Sequence, residues 1–316
     1  MKFFGKSKTI EGWRALSFQG GEIRAVHVRR SGSAKPVVSL AAIEQLRGSN
    51  NEAALARLAK TWGDATFACT TGVNGGSYEF LPVEAPNVPA AELKSAITFV
   101  VKDMIDINES QTTIDIVAVP HDKNNAQRVR SMYAVAIRSG LTADIQKWFE
   151  AAKLGLKVID IPEMAQRNIA ILTEEGDRIT TMVSFDETSG LLTFSGSGEL
   201  FLSRRIDVTL AQLLDTDVNQ RSLYQERVAL EIQRSLDHFG RQFNWVSVGK
   251  VVVAPLADDD CGLVSSLREN LEARVEALNL DTLLDISAVP QLKSLDHQRR
   301  YFLPLGLALR HEEKVL

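Results

Sequence analysis

The sequence predicts an internally duplicated α/β protein whose halves face each other across a cleft, with a small α/β subdomain inserted in the first half. Three observations carry that reading. Between Thr181 and Arg205, three short β-prone runs (Thr181–Phe185, Leu191–Phe194 and Leu200–Ser203) are separated by Asp186–Gly190 and Ser195–Gly198, where Asp, Ser and Gly supply turn conformations. The same meander grammar occurs near the N-terminus: Arg14–Phe18, a Gln19-Gly20-Gly21 turn, Glu22–Arg29, a polar turn through Ser31–Lys35, then Pro36–Leu40. Even the wording repeats, with Leu16-Ser17-Phe18 and Val183-Ser184-Phe185 immediately before the first turn of each. Each meander is followed by a helical pattern and a further buried strand, the sign of a duplicated layered fold.

A length of 316 residues suits two domains. They are expected at 1–176 and 177–316, with the insertion at about 88–156 and a C-terminal helix at about 304–311. Hydrophobic content of 45% and charged content of 24% are those of a globular chain. A net charge of −4 gives no electrostatic reason to bind nucleic acid. Cys69 and Cys261 stand far apart, which fits a reducing compartment without a disulfide framework. No apolar run approaches the ~20 residues of a membrane span, and Met1-Lys2-Phe3-Phe4 is too short an apolar region for a signal peptide. The expected location is the cytoplasm, with any membrane role reached through a partner.

In chain order, Asn51–Trp62 reads as a helix, Thr66–Thr70 as a strand, and a Gly-rich turn at Gly72–Ser77 leads into a strand at Tyr78–Val83. Pro82, Pro86 and Pro89 mark the boundary of the insertion, because proline removes backbone donors and restricts its predecessor. A helix over Ala90–Ile107 carries an apolar stripe of Leu93, Ile97, Val100 or Val101, Met104 and Ile105. Strands at Thr112–Val119 and Met132–Ile137, joined by His121–Arg130, and a helix at Thr142–Lys153 complete the subdomain. Lys157–Ile161 rejoins the first core, and Pro162 opens a helix to about Leu172. The longest helix, Ser222 to Phe243, has its core stripe beside Arg227, Glu231, Arg234, Asp237 and Arg241, whose alternating signs read as a solvated ionic edge. Val248–Ala254 is an apolar strand, Cys261–Leu278 an amphipathic helix, and Pro304–His311 a short terminal helix.

The usual chemical motifs are absent: no GxxxxGK[ST], GxGxxG, GxSxG or HExxH occurs. The histidines have no metal-ligand spacing with the cysteines, and no metal is expected. His238 follows Asp237, but neighbouring helical residues diverge by about 100°, so they do not face one another. Asp258-Asp259-Asp260 offers hard oxygen ligands, yet its place before a helix suits capping better.

The duplicated meander around a cleft resembles the actin, Hsp70 and sugar-kinase superfamily of ATPases, a duplicated actin-like (ribonuclease H-like) fold. In that superfamily the first turn of each half carries an Asp with nearby Gly, which place the phosphates and Mg²⁺. Here the matching positions hold Ser17 and Ser184, and the Gly two residues on is Gln19 and Asp186. Where the superfamily has Gly-Gly under the adenine, this chain has Ala254-Pro255-Leu256, and proline offers no N–H. The resemblance therefore implies a degenerate ATPase fold that is not an enzyme and needs no cofactor. Asp186 and Arg24 keep open the alternative of an ATP- and Mg-binding switch.

At family level, Ala91-Glu-Leu-Lys-Ser-Ala-Ile-Thr98, Val101-Lys-Asp-Met-Ile-Asp106 and Thr113-Ile-Asp-Ile-Val-Ala-Val-Pro120 are similar to the inserted subdomain of the PilM-like type IV pilus proteins, most of all their MshI branch. Val158-Ile-Asp-Ile-Pro-Glu-Met-Ala-Gln-Arg-Asn-Ile-Ala170, Gly190-Leu-Leu-Thr193, Leu202-Ser-Arg-Arg-Ile206 and Leu230-Glu-Ile-Gln-Arg-Ser-Leu-Asp237 follow in the family's order, so the resemblance spans about 12 to 311. It implies a cytoplasmic scaffold, peripheral to the inner membrane, in biogenesis of the mannose-sensitive haemagglutinin pilus. Its partners would be the cytoplasmic tail of a PilN-like or MshJ-like bitopic protein and the pilus assembly platform; whether the chain also forms a homodimer is left open by the sequence. In that family the tail lies in a groove between the first core and the inserted subdomain. The candidate groove residues are Tyr78, Phe80, Leu93, Ile97, Val100 and Met104. A strand edge beside an apolar stripe suits an extended peptide, although the stripe equally suits packing within the subdomain. A secretion-type relative of the GspL class shares the fold and differs in partner.

Overall fold

The computed structural model describes residues 9–30, 34–46, 51–62, 66–102, 104–105, 111–122, 130–257 and 261–310. The chain opens with an antiparallel meander, β1 (Thr9–Gln19), β2 (Glu22–Arg29) and β3 (Val37–Gln45). Gly20 and Gly21 turn β1 into β2 with φ of 57° and 75°, the left-handed pair that a two-residue hairpin demands. After helix α1 (Asn51–Thr61), β4 (Thr66–Gly72) lies parallel to β1. The subdomain follows as β5 (Tyr78–Glu84), α2 (Ala90–Lys102), β6 (Thr112–Ala118), β7 (Ser131–Arg138) and α3 (Ser139–Ala151). Its sheet runs β5-β7-β6, and β8 (Leu156–Asp160) then returns to complete the first sheet in the order β3-β2-β1-β4-β8.

The second half starts after α4 (Pro162–Ala170) with β9 (Ile179–Phe185), β10 (Gly190–Gly196) and β11 (Glu199–Ile206). A short α5 (Leu210–Leu213) and the long α6 (Val218–Gln242) precede β12 (Val248–Val253), α7 (Leu263–Asn270) and β13 (Val275–Ala277). The sheet order, β11-β10-β9-β12-β13, repeats that of the first half, with a meander followed by two parallel strands. The last described element is α8 (Leu295–Ala308). The Asp217 side chain caps α6 by accepting from the Asn219 and Gln220 N–H groups at 2.8 and 3.3 Å, and the buried stripe Val228, Ile232 and Phe239 seats it on the second sheet.

The halves are laced together by exchanged helices. The first half's α4 lies against β9, β10 and β11, whereas α8, which follows the second sheet, lies against β1, β2 and β4. One buried cluster accordingly mixes Ala15, Val26 and Val38 with Met182, Val252, Leu305 and Leu307. The two helices cross at Gly306, where an added Cβ would sit 2.3 Å from the Ala165 carbonyl oxygen. Asn168, fully buried, donates its amide to the Gly306 carbonyl at 2.9 Å.

Three elements differ from the sequence expectation. The small sheet begins at Tyr78, ahead of the expected boundary near 88, because β5 pairs along its length with β7. Pro82 is accommodated because β5 is an edge strand, where a missing N–H breaks no ladder. The helix expected over Cys261–Leu278 stops at Asn270: Leu271 is extended (φ −117°, ψ 138°), and Val275–Ala277 joins the open edge of β12, a tertiary pairing that outweighs modest helix propensity. The terminal helix begins at Leu295, well before Pro304, and runs through that proline. Proline deprives the Arg300 carbonyl of its helical donor; Arg24 Nη1 supplies one instead, at 3.0 Å. The Asp258–Asp260 run, His311 and positions 103, 106 and 107 of the expected subdomain helix lie outside the described residues.

Candidate functional site

Between the halves lies a cavity of about 220 Å³. Five of the six positions singled out at the degenerate nucleotide turns line it: Gln19, Arg24, Ser184, Asp186 and Pro255. The sixth, Ser17, is fully buried in β1 and its hydroxyl has no hydrogen-bond partner. Arg24 is held by Glu22 and Gln19, each at 3.1 Å, besides its bond to the Arg300 carbonyl. Burial pushes the Glu22 carboxyl up, but hydrogen bonds from Gln45, Arg300 and Arg24 more than offset this and leave it below its ordinary range.

The resemblance implies magnesium and a triphosphate, and the carboxylate oxygen that magnesium would need at these turns is engaged within its own turn. Asp186 Oδ1 accepts from the Thr188 N–H and hydroxyl at 2.7 Å and from the Ser189 N–H at 3.0 Å, so it closes its own turn. Ser184 donates to Gln166 Oε1 at 2.5 Å, and the Gln166 amide donates to the Met182 and Leu191 carbonyls and the Thr193 hydroxyl. This α4 glutamine pins the second meander. Among the described residues no group of three or more His, Cys, Asp or Glu side chains is placed to hold a metal.

At one wall of the cavity three bodies meet in a polar latch that sequence reasoning missed. Glu163 of α4 is 1% exposed. Its carboxylate accepts from Tyr78 Oη at 2.5 Å and from Arg205 Nη2 at 2.9 Å, and Arg205 also donates to the Tyr78 oxygen at 2.8 Å. Tyr78 opens the subdomain sheet, Glu163 belongs to the shared helix, and Arg205 comes from β11. Burial first, then the Glu163 charge, drives the Tyr78 phenol far above its ordinary value; burial lowers the Arg205 guanidinium, yet Tyr78, Glu163 and Asp186 raise it overall. The signal available in the sequence was a helix with Glu163, Gln166 and Arg167 three and four residues apart, all of which are buried.

The expected groove residues do not form one surface. Tyr78 is buried in the latch, and Phe80 stacks on Tyr133 with centroids 4.3 Å apart. Ile97 and Val101 are fully buried in the subdomain core, with Leu93 and Ile105 packed against it. Val100 and Met104 point outward, 43% and 52% exposed, beside Phe99 at 69%. The helical stripe thus serves mainly to fold the subdomain.

A groove of about 760 Å³ does separate the first core from the subdomain, but on the other side. Its floor is β8 from Leu156 to Asp160, the last strand of its sheet; Ala143, Gln146 and Glu150 of α3 form one bank, and Thr113 and Asp115 of the edge strand β6 the other. Among the described residues the outer edge of β8 is unpaired, and it borders a trough whose far side is one face of the small sheet, where Thr113 and Asp115 pair with Ile137 and Val135; Phe149 lies along it. At its end Asp160 accepts from Arg310 at 2.6 Å. Burial raises the Asp160 carboxyl, and Arg310 counters it.

No protein-family model matches the chain, and no curated protein matches it in sequence. Among solved structures it is similar to one described as a PilM-PilN type IV pilus biogenesis complex, with a TM-score of 0.70 at 19% identity over 96% of this chain and 99% of that one. It is also similar to the cytoplasmic domain of EpsL, described as an inner membrane component of the type II secretion system of Vibrio cholerae, with a TM-score of 0.50 at 14% identity over 88% and 94%. A Bacteroides thetaiotaomicron protein described as having an actin-like ATPase fold and unknown function matches with a TM-score of 0.49 at 9% identity over 92% and 98%. With equivalent sheets, exchanged helices and a cleft between them, the chain has a duplicated actin-like α/β fold. Its likeness to PilM is one of fold. No helix among the described residues is long and apolar enough to cross a membrane.

Proposed function

We propose that this chain is a non-catalytic scaffold of a type IV pilus assembly platform, seating the short cytoplasmic tail of a PilN-like bitopic membrane protein in the groove between α3 and β8. The observation that carries this reading is the groove itself, an open trough of about 760 Å³ bordered by the edge of β8 and by one face of the β6–β7 pair. An extended peptide laid there adds a strand to a sheet, gaining backbone hydrogen bonds along its length and side-chain pockets on alternate residues. The structure described as a PilM-PilN complex shares this fold and supports a PilN-like tail as occupant. The ordered sequence segments favour the mannose-sensitive haemagglutinin system and an MshJ-like partner. On this reading the chain works at the cytoplasmic face of the inner membrane and needs no nucleotide.

The test is fluorescence anisotropy with a labelled peptide of the partner's cytoplasmic tail, in buffer free of nucleotide. Ala143 is exposed and lines the groove, so Ala143→Trp blocks the trough without touching the core and weakens binding at least tenfold. Phe99→Ser, on the outer face of α2, leaves it unchanged. Equal affinity for wild type and Ala143→Trp sinks the assignment. A second reading, a nucleotide-responsive switch, draws on Arg24, Arg205 and Arg299 around the cleft cavity and on the unpartnered Arg299 Nε. It predicts thermal stabilisation that grows with added ATP and magnesium.

A further inference from the structure

We infer that the outer face of α6 is a self-association surface on which a second copy of this chain docks with its own α6 running parallel. At about 100° per residue, Leu230 returns to within about 20° of Leu223, and both lie opposite Ile232 of the buried stripe. Leu223 is 57% exposed and Leu230 49%, so a leucine crest with a seven-residue step faces away from the protein. Charge is sorted on either side of that crest. Arg227 and Arg234 flank it at about 20–40° on one side, Glu226 and Asp237 at about 40–60° on the other.

That sorting selects both partner and direction. A two-fold axis parallel to the helices sets the basic flank of one copy against the acidic flank of the other, so Arg227 meets Glu226, Arg234 meets Asp237, and each leucine meets its own equivalent. An antiparallel pair sets like flank on like flank, and arginines then oppose arginines. Within the chain Arg227 pairs with Asp207 and Arg234 with Glu231, both at 2.8 Å; exposed pairs of this kind hold their geometry weakly and can rearrange. The contact is smaller than a standard interface, so association is weak and depends on concentration. No α6 residue lines the groove between α3 and β8. A dimer joined through α6 therefore leaves both grooves free, and two tails on one platform would gain avidity. The dimer itself does not depend on what the groove binds.

Sedimentation velocity over a concentration series tests the association on unmodified protein, with a reversible monomer–dimer equilibrium expected. Arg227→Glu and Glu226→Arg each lower the dimer fraction at least fivefold, and the double variant, which swaps the charges, restores it. Direction is read in a Cys261→Ser background, since Cys69 is buried. Leu223→Cys and Leu230→Cys each crosslink to themselves with a short bis-maleimide if the helices are parallel. Crosslinks found only on mixing the two variants, a double variant that stays monomeric, or a wild type that is monomeric at every concentration overturns the proposal.

Discussion

Replacing Glu163 by Gln removes the charge on which the three-body latch converges while keeping the size of the side chain. Two hydrogen bonds to a carboxylate are at stake, from Tyr78 at 2.5 Å and Arg205 at 2.9 Å, each of a class worth about 1.5–3 kcal/mol. Glutamine preserves one oxygen acceptor and turns the other position into a donor, so roughly one charge-assisted bond is lost. The Arg205 side chain is 36% exposed, and water takes up part of its unpaired charge. The expected cost is about 2–3 kcal/mol, below the full figure for breaking a wholly buried pair. Tyr78→Phe removes one donor and costs about 1–2 kcal/mol. Because both variants act on the same carboxylate, the double variant should cost about 1 kcal/mol less than the sum. Urea unfolding followed by circular dichroism gives the midpoints, and limited proteolysis of the segment before β5 reports release of the subdomain. Glu163→Gln within 0.5 kcal/mol of wild type (about the scatter of ordinary surface substitutions), with unchanged proteolysis, would refute the latch.

Gly306→Ala should lower the melting temperature although alanine ordinarily favours helices by about 1 kcal/mol. The new Cβ meets the Ala165 backbone at 2.3–3.0 Å, so α4 and α8 must separate at a cost of about 1–3 kcal/mol, seen by calorimetry. Arg24→Met strands the Arg300 carbonyl that Pro304 leaves without a helical donor, costing about 1–3 kcal/mol; adding Pro304→Ala restores an N–H and should recover the carbonyl's share in the same melts, while the bonds to Glu22 and Gln19 stay lost. Burial pushes the Cys69 thiol up from 9.0 to about 11. A folded-state value above the unfolded one means stability is fully present below about pH 9 and is lost as pH rises towards 11, by about 2–3 kcal/mol. Cys69→Ala should flatten the alkaline limb of a pH series of unfolding midpoints.

The duplication was legible because each meander advertises itself locally, by β-prone runs of fixed length between Gly, Ser and Asp turns. It was also legible that Gln19, Arg24, Ser184, Asp186 and Pro255 converge, since equivalent turns in a duplicated fold must face one another. What escaped the sequence was decided by distant partners. Nothing in Arg274–Leu278 announces that β12 has an open edge waiting for it. Pro304 reads as a helix breaker unless Arg24, far away in sequence on β2, is known to reach the freed Arg300 carbonyl. The role of α2 was undecidable for a related reason: an apolar stripe has the same spacing whether it binds a peptide or a core, and Ile97 and Val101 face the core. The trough along α3 borders the open edge of β8, and an edge leaves no mark in side-chain periodicity.

The central claim, that an extended tail is gripped beside β8 with no nucleotide in the cleft, is tested most directly by hydrogen–deuterium exchange of the full chain with and without the partner's tail peptide. Protection is expected at Leu156–Asp160 and along Ser139–Ala151, at equal strength whether or not ATP and magnesium are added. Protection confined to the Gln19–Glu22 and Asp186–Ser189 turns, or protection that appears only with nucleotide, would contradict it.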